Sequence, residues 1–113
     1  MAENNQQSLY VLIPAYNEQD TVYQLLEKVM AVDLSRFNLA LQVIVIDDGS
    51  KDATWEKIKT FINNFPDAPI TPLRLKKNQG KGQAIRNGLA LCENEDGIVI
   101  IQDADLEYDP GQY

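Results

Sequence analysis

Four short apolar runs constrain this chain more than any other feature: Leu9 to Pro14, Leu41 to Ile46, Ile70 to Lys76 and Ile98 to Gln102. Between them lie three stretches whose apolar residues recur at helical spacing. Thr21 to Val32 carries Val22, Leu25, Leu26 and Val29. The next carries Trp55, Ile58, Ile62 and Phe65 and is closed by Pro66, and the third carries Ile85, Leu89 and Cys92. A strand–helix alternation repeated from end to end predicts an α/β fold, a parallel sheet with right-handed crossovers and helices on its faces. Apolar runs without polar alternation read as strands buried on both faces, Ile98 to Ile101 most plainly. Pro69 and Pro72 mark the third run as an edge or an irregular start, because proline donates nothing to a ladder. Gly88 shares the apolar face of the third helix and predicts close packing against the sheet. Asn17 is placed as the cap of the first helix, with Glu18 and Asp20 favouring its positive end.

Composition narrows the function classes. A length of 113 residues allows one ordinary domain at most, and 44% hydrophobic with 24% charged residues describes a globular chain. A net charge of −7 and an isoelectric point near 4.4 argue against a nucleic-acid surface and against a polybasic membrane contact. There is no histidine, and Cys92 is the only cysteine. Histidine-dependent nucleophiles, intrachain disulfides and ordinary zinc sites are thereby excluded, and a reducing compartment fits best. Residues 1–8 read as a disordered polar tail without the features of a signal peptide. No apolar stretch approaches the roughly 20 residues that span a bilayer, so a cytoplasmic chain is expected.

The chemistry-bearing residues sit just after the apolar runs. In open α/β sheets, ligands bind outside the carboxyl ends of the strands. After the first run come Pro14, Ala15, Tyr16, Asn17 and Glu18: an aromatic ring that can stack on a base, and an acid that can accept from a base or ribose. A purely structural role, in which Pro14 stops the strand, Asn17 caps the helix and Glu18 complements its dipole, is the better account of them in isolation. After the second run come Asp47, Asp48, Gly49 and Ser50. Ser50 or Asp52 suffices as a helix cap, so two adjacent carboxylates exceed that need. After the third run, Asn78-Gln79-Gly80-Lys81-Gly82 places two glycines and an ammonium at a helix start, suited to phosphate. It matches neither a Walker A sequence nor G-x-G-x-x-G.

The fourth run ends in Asp103-Ala104-Asp105, with Glu107 repeating the spacing. Two acids two residues apart on a strand face one side, and they repel unless something neutralises them. A divalent cation with hard oxygen ligands does so and bridges to an anionic substrate. Mg²⁺ or Mn²⁺ held by Asp103 and Asp105 against a diphosphate is the expected arrangement.

Taken together, these residues resemble glycosyltransferase family 2. The resemblance runs through Val11-Leu12-Ile13-Pro14-Ala15-Tyr16-Asn17-Glu18, then Val43-Ile44-Val45-Ile46-Asp47-Asp48-Gly49-Ser50-Lys51-Asp52-Ala53-Thr54. It continues in Asn78-Gln79-Gly80-Lys81-Gly82-Gln83-Ala84-Ile85-Arg86-Asn87-Gly88 and ends at Asp103-Ala104-Asp105, covering nearly the whole chain. The closing segment, from Gln102 to Pro110, looks most like the dolichyl- and polyprenyl-phosphate sugar transferases. The resemblance implies the Rossmann-like, N-terminal nucleotide-binding half of a GT-A fold over residues 9–113. It implies an inverting transfer from a UDP- or GDP-linked sugar to an acceptor such as a polyprenyl phosphate. Pro14, Ala15, Tyr16, Glu18, Val45, Asp47, Asp48, Gly80, Lys81, Asp103 and Ala104 would bind the nucleotide, and Asp103, Asp105 and Glu107 the metal.

In family members the acceptor half and the catalytic base follow the metal motif, so the 113 residues are expected to form an incomplete, inactive piece whose base lies elsewhere. Two other classes compete. A receiver-like signalling domain also holds Mg²⁺ at strand ends, but its acid pair follows the first strand, which here ends in Pro14-Ala15-Tyr16. A non-catalytic assembly module, or a homo-oligomer, would use an uncovered sheet edge.

Overall fold

A computed structural model describes residues 7–92 and 97–104. It contains β1 (Gln7–Ala15), α1 (Val22–Met30), a short 3-10 turn (Ser35–Phe37), β2 (Leu39–Asp47), α2 (Thr54–Asn64), β3 (Ile70–Arg74), α3 (Lys81–Leu89) and β4 (Ile98–Ile101). The four strands form one parallel sheet in the order β3-β2-β1-β4. The α/β alternation expected from the sequence is therefore present, with β3 at an edge among the described residues, in keeping with Pro72 within it.

The absence of polar alternation in β1 and β2 follows from cover on both faces. Side chains alternate between faces along a strand. Leu9, Val11, Ile13, Val43 and Val45 pack with Val22, Leu25, Leu26 and Val29 of α1 and with Ile58 and Phe61 of α2. The residues between them, Tyr10, Leu12, Ile44 and Ile46, pack on the opposite face with Ala84 of α3. α3 lies unusually close to that face. A Cβ at Gly88 would stand 2.9 Å from the Ile46 Cδ1 atom, so glycine permits the approach that the sequence anticipated.

Several expectations are corrected. β4 is an edge strand that pairs with β1 alone among the described residues. Its run is accordingly not buried on both faces: Ile98, Val99 and Ile101 are 43%, 41% and 48% exposed, and Ile100 packs partly into the core. Composition resembling a central strand cannot report how many neighbours a strand has. Gln7 and Ser8 belong to β1 rather than to a tail, while residues 1–6 lie outside the described residues. Leu89 is exposed, and the buried positions of α3 are Ala84 and Gly88. Phe61 rather than Phe65 carries the α2 core contact. No helix among the described residues is long and apolar enough to cross a membrane.

Phe61 is 1% exposed, meets Tyr23 edge-on at 5.0 Å between centroids and lies 4.7 Å from the Phe65 ring. Truncating a buried Phe leaves a cavity that costs about 3–5 kcal/mol, whereas Phe65, 46% exposed, loses mainly the ring contact, about 1 kcal/mol. Chemical denaturation is expected to rank Phe61→Ala far below Phe65→Ala. Equal losses would contradict this packing.

Candidate functional site

Parallel strands bring all four carboxyl-end loops to one rim, and hydrogen bonds then fix the loops to each other. The first two loops interlock. The Asn17 N–H donates to Ser50 Oγ (2.9 Å), the Glu18 N–H to Thr54 Oγ1 (2.8 Å) and the Gln19 N–H to Asp52 Oδ2 (3.3 Å). In return, Asn17 Oδ1 accepts from the Lys51 N–H and Gln19 Oε1 from the Ala53 N–H, both at 3.0 Å. Asn17 makes its bonds from a left-handed conformation, φ 53°, which asparagine tolerates better than most residues. It is thus a clasp to the second loop and not the cap of α1, whose N-cap position is Thr21. Ser50 is likewise not a cap of α2, although Asp52 Oδ1 does receive the Thr54 N–H at 2.9 Å.

The adjacent carboxylates at the end of β2 divide their work. Asp47 is wholly buried: Oδ1 accepts the Ser50 N–H at 2.9 Å and shapes the turn. Its Oδ2 has no hydrogen-bond partner but lies 3.8 Å from Arg74 Nε, which supplies compensating charge from the end of β3. Asp48 reaches the third loop, where Oδ1 accepts the Gln79 N–H (2.8 Å) and Oδ2 the Gly80 N–H (3.0 Å). Gly49, with φ +72°, makes this possible. A Cβ there would lie 2.3 Å from the backbone carbon of Lys77, so the second and third loops meet backbone to backbone.

The fourth loop is pinned by three contacts. The Gln102 N–H donates to the Leu12 carbonyl at 2.9 Å, and the Thr21 hydroxyl to the Ala104 carbonyl at 2.7 Å. Lys81 Nζ, at the first residue of α3, pairs with Asp103 Oδ1.

A cleft of about 350 Å³ opens between these loops. It is lined by Pro14, Ala15, Tyr16 and Glu18 of the first loop, Asp48 of the second, Asn78, Gly80 and Lys81 of the third, and Asp103 and Ala104 of the fourth. Of the residues expected to bind nucleotide, nine are brought to this single cleft. Val45 and Asp47 are not on its wall. Val45 lies in the core against α1 and α2, and Asp47 sits beneath the second loop. Asp105 and Glu107 lie outside the described residues. Asn78, which the sequence places in the third loop without a role of its own, also lines the cleft, whereas Gln19, Thr54 and Thr21 were missed as loop ties. The available signal was a density of hydroxyls, carboxamides and acids at residues 17–21 and 50–54 beyond what capping requires.

Three carboxylates, one exposed aromatic ring and one ammonium at a helix N-terminus make a site for a ligand with N–H or O–H donors at one end and anionic oxygens at the other. A larger hollow of about 570 Å³, lined by Met30, Phe61 and Phe65 near the C-terminal ends of α1 and α2, has no such set of strand-end carboxylates. Cys92 is half-buried, and burial pushes its thiol up, away from nucleophilic use.

Comparison with known proteins agrees with this geometry. The model of glycosyl transferase family 2 matches residues 10–113, and the chain belongs to that family. Over 104 residues it is 33% identical to a dolichyl-phosphate β-glucosyltransferase of Dictyostelium discoideum, and over 100 residues 30% identical to a dolichol-phosphate mannosyltransferase of Pyrococcus furiosus. Each alignment covers 88% of this chain but only 32% and 26% of the respective relative. Among solved structures, the mannosyltransferase PcManGT of Pyrobaculum calidifontis, in complex with GDP-Man and Mn²⁺, superposes with a TM-score of 0.77. That match has 28% identity over 91% of this chain and 29% of the other. The sheet is thus that of the GT-A glycosyltransferases, and the chain spans about a third or less of the relatives it matches.

Asp52 provides a test of the interlocked loops. Desolvation pushes its carboxyl up, but bonds from the Thr54 hydroxyl, the Thr54 N–H and the Gln19 N–H outweigh it, and the group titrates below its ordinary value. The unfolded carboxyl titrates near about 3.9, so the stabilisation is complete above that pH and is lost as pH falls through the lower folded value. Wild type should therefore exceed Asp52→Asn in melting temperature near neutral pH, with the gap closing below about pH 4. A gap independent of pH would contradict the role given to Asp52.

Proposed function

We propose that the cleft is the donor site of a sugar transferase, binding a UDP- or GDP-linked sugar. The observation that carries this reading is the meeting of Tyr16, Glu18, Asp48, Lys81 and Asp103, from four separate loops, on one cleft of about 350 Å³. That volume falls within the usual range of small-ligand pockets. Tyr16, with Pro14 and Ala15 beside it, offers a face for the base. Asp48 and Glu18 accept from base or ribose donors. The oxygens of Asp48 already hold the Gln79 and Gly80 amides, and each retains a second lone pair for this purpose. Asp47 and Val45 act from below, by fixing the loop and the strand end. Gly80 and Lys81, at the start of α3, suit the diphosphate.

The donor set also suits a divalent cation. An ion of the Mg²⁺ kind binds through one or two carboxylates and completes its shell with substrate phosphates and water. Asp103 and Asp105 would hold it, Glu107 being a further donor, and Mg²⁺ or Mn²⁺ would serve. Such an ion supplies Lewis-acid stabilisation of charge on a departing diphosphate. In the whole protein the reaction would be an inverting transfer to an acceptor such as a polyprenyl phosphate, the class named in the two relatives above. The relation to GDP-Man and Mn²⁺ in PcManGT supports the donor and metal parts of this reading. The exposed edge of β4 offers a surface for a further strand, from this or another chain.

Calorimetric titration with UDP and GDP in Mn²⁺ is expected to show Tyr16→Ala weakening binding by about fivefold to a hundredfold, the range for loss of base–aromatic stacking. Asp103→Asn and Asp105→Ala should each remove the part of the affinity that depends on Mn²⁺. Affinity unchanged in all three variants would place the nucleotide elsewhere.

A further inference from the structure

Lys81 and Asp103 raise a question about order of binding. Asp103 is the only described carboxylate of the expected metal pair, and its Oδ1 is paired with the Lys81 ammonium. Lys81 is also the only basic residue among the described residues lining the cleft. Both side chains retain solvent access, 57% and 30% exposed, so the pair can part without unfolding anything. The other cleft acids are placed differently: Asp48 holds two backbone amides of the third loop, and Glu18 Oε2 lies 3.4 Å from the Thr21 hydroxyl oxygen, whose proton is donated to the Ala104 carbonyl.

A cation arriving at Asp103 therefore competes with a cation already there. Two cations held in close contact with one carboxylate repel each other. A diphosphate changes this balance. The Lys81 backbone begins α3, beside the Gly80 turn, where an anion is favoured by the helix terminus. The flexible lysine stem lets its ammonium leave Asp103 for a phosphate oxygen within the same cleft. Asp103 is then released to the metal, and the metal in turn gains substrate oxygens.

Resting on the donor-site reading above, we infer that Lys81 is an exchangeable counter-ion. It occupies the metal position of Asp103 in the nucleotide-free protein and moves to the diphosphate when the donor binds, so that metal and nucleotide favour each other's binding. By linkage the coupling is reciprocal: Mn²⁺ raises nucleotide affinity by the factor by which nucleotide raises Mn²⁺ affinity. Lys81 is a positioning residue in this scheme, and its removal has an unusual signature. Loss of a merely structural contact weakens ligands, whereas loss of a competitor strengthens one.

The test is Mn²⁺ binding to the purified chain, read from the free-ion electron paramagnetic resonance signal, for wild type, Lys81→Met and Lys81→Arg. Methionine keeps the helix propensity and the stem of lysine without its charge, and arginine keeps the charge. Without nucleotide, Lys81→Met should bind Mn²⁺ up to about fivefold more tightly than wild type, the scale of a partly exposed ion pair. Lys81→Arg should stay near wild type. With GDP or UDP present, the factor by which nucleotide enhances Mn²⁺ binding should shrink in Lys81→Met. Mn²⁺ affinity in Lys81→Met equal to or below wild type, including no detectable binding in either, would overturn the inference. If wild type still binds nucleotide with Mn²⁺ in that case, only the counter-ion role falls. If wild type binds neither, the donor-site reading falls with it.

Discussion

The Asp48 carboxylate is the constraint on which the site depends. It stands just after β2, whose last five residues are buried, and uses both oxygens on the backbone amides that open α3. Charge-assisted bonds from a carboxylate to amides are among the stronger hydrogen bonds in proteins, and a nearly buried acid demands such partners. Gly49 is required for the same reason, because the two loops approach too closely for a Cβ. One acid thereby sets the distance between the second and third loops, both of which line the cleft.

The remaining walls are fixed by similar means and from different directions. The reciprocal bonds between residues 17–19 and 50–53 hold the Tyr16 wall to the β2–α2 loop, while Thr21 reaches across to the Ala104 carbonyl. The sheet beneath is rigid because β1 and β2 are packed on both faces, with α3 drawn onto Ile46 and Leu12 at Gly88. Polar groups whose partners lie 31 to 83 residues away make each loop's conformation conditional on the others. A preorganised rim of this kind holds its ligand groups in place before a ligand arrives.

Much of this was legible in the sequence, for identifiable reasons. Period and punctuation reveal strands and helices, and Pro72 correctly marks the β3 edge. The location of a site at the strand ends follows from parallel topology, so Tyr16, Asp48, Lys81 and Asp103 were found together. What could not be read is how polar groups are shared between loops. Asn17 has the composition of a helix cap, yet it clasps residue 51. Asp47 and Asp48 are indistinguishable as letters, yet one turns back to Ser50 of its own loop and the other reaches the third loop. The apolar run of β4 reads like β2, although only one of its edges is paired among the described residues. Local propensity carries no information about long-range partners, and these are the places where it failed.

The claim at the centre of this account is that one cleft at the carboxyl ends of the strands receives a nucleoside diphosphate. Its most direct test is amide chemical-shift mapping of the chain by NMR during titration with GDP and with UDP in the presence of Mg²⁺. The account predicts that the largest shifts fall at Ala15 to Glu18, Asp48, Gln79 to Lys81 and Asp103, with the Met30 and Phe65 hollow unmoved. Shifts centred on that hollow, or none with either nucleotide, would contradict it.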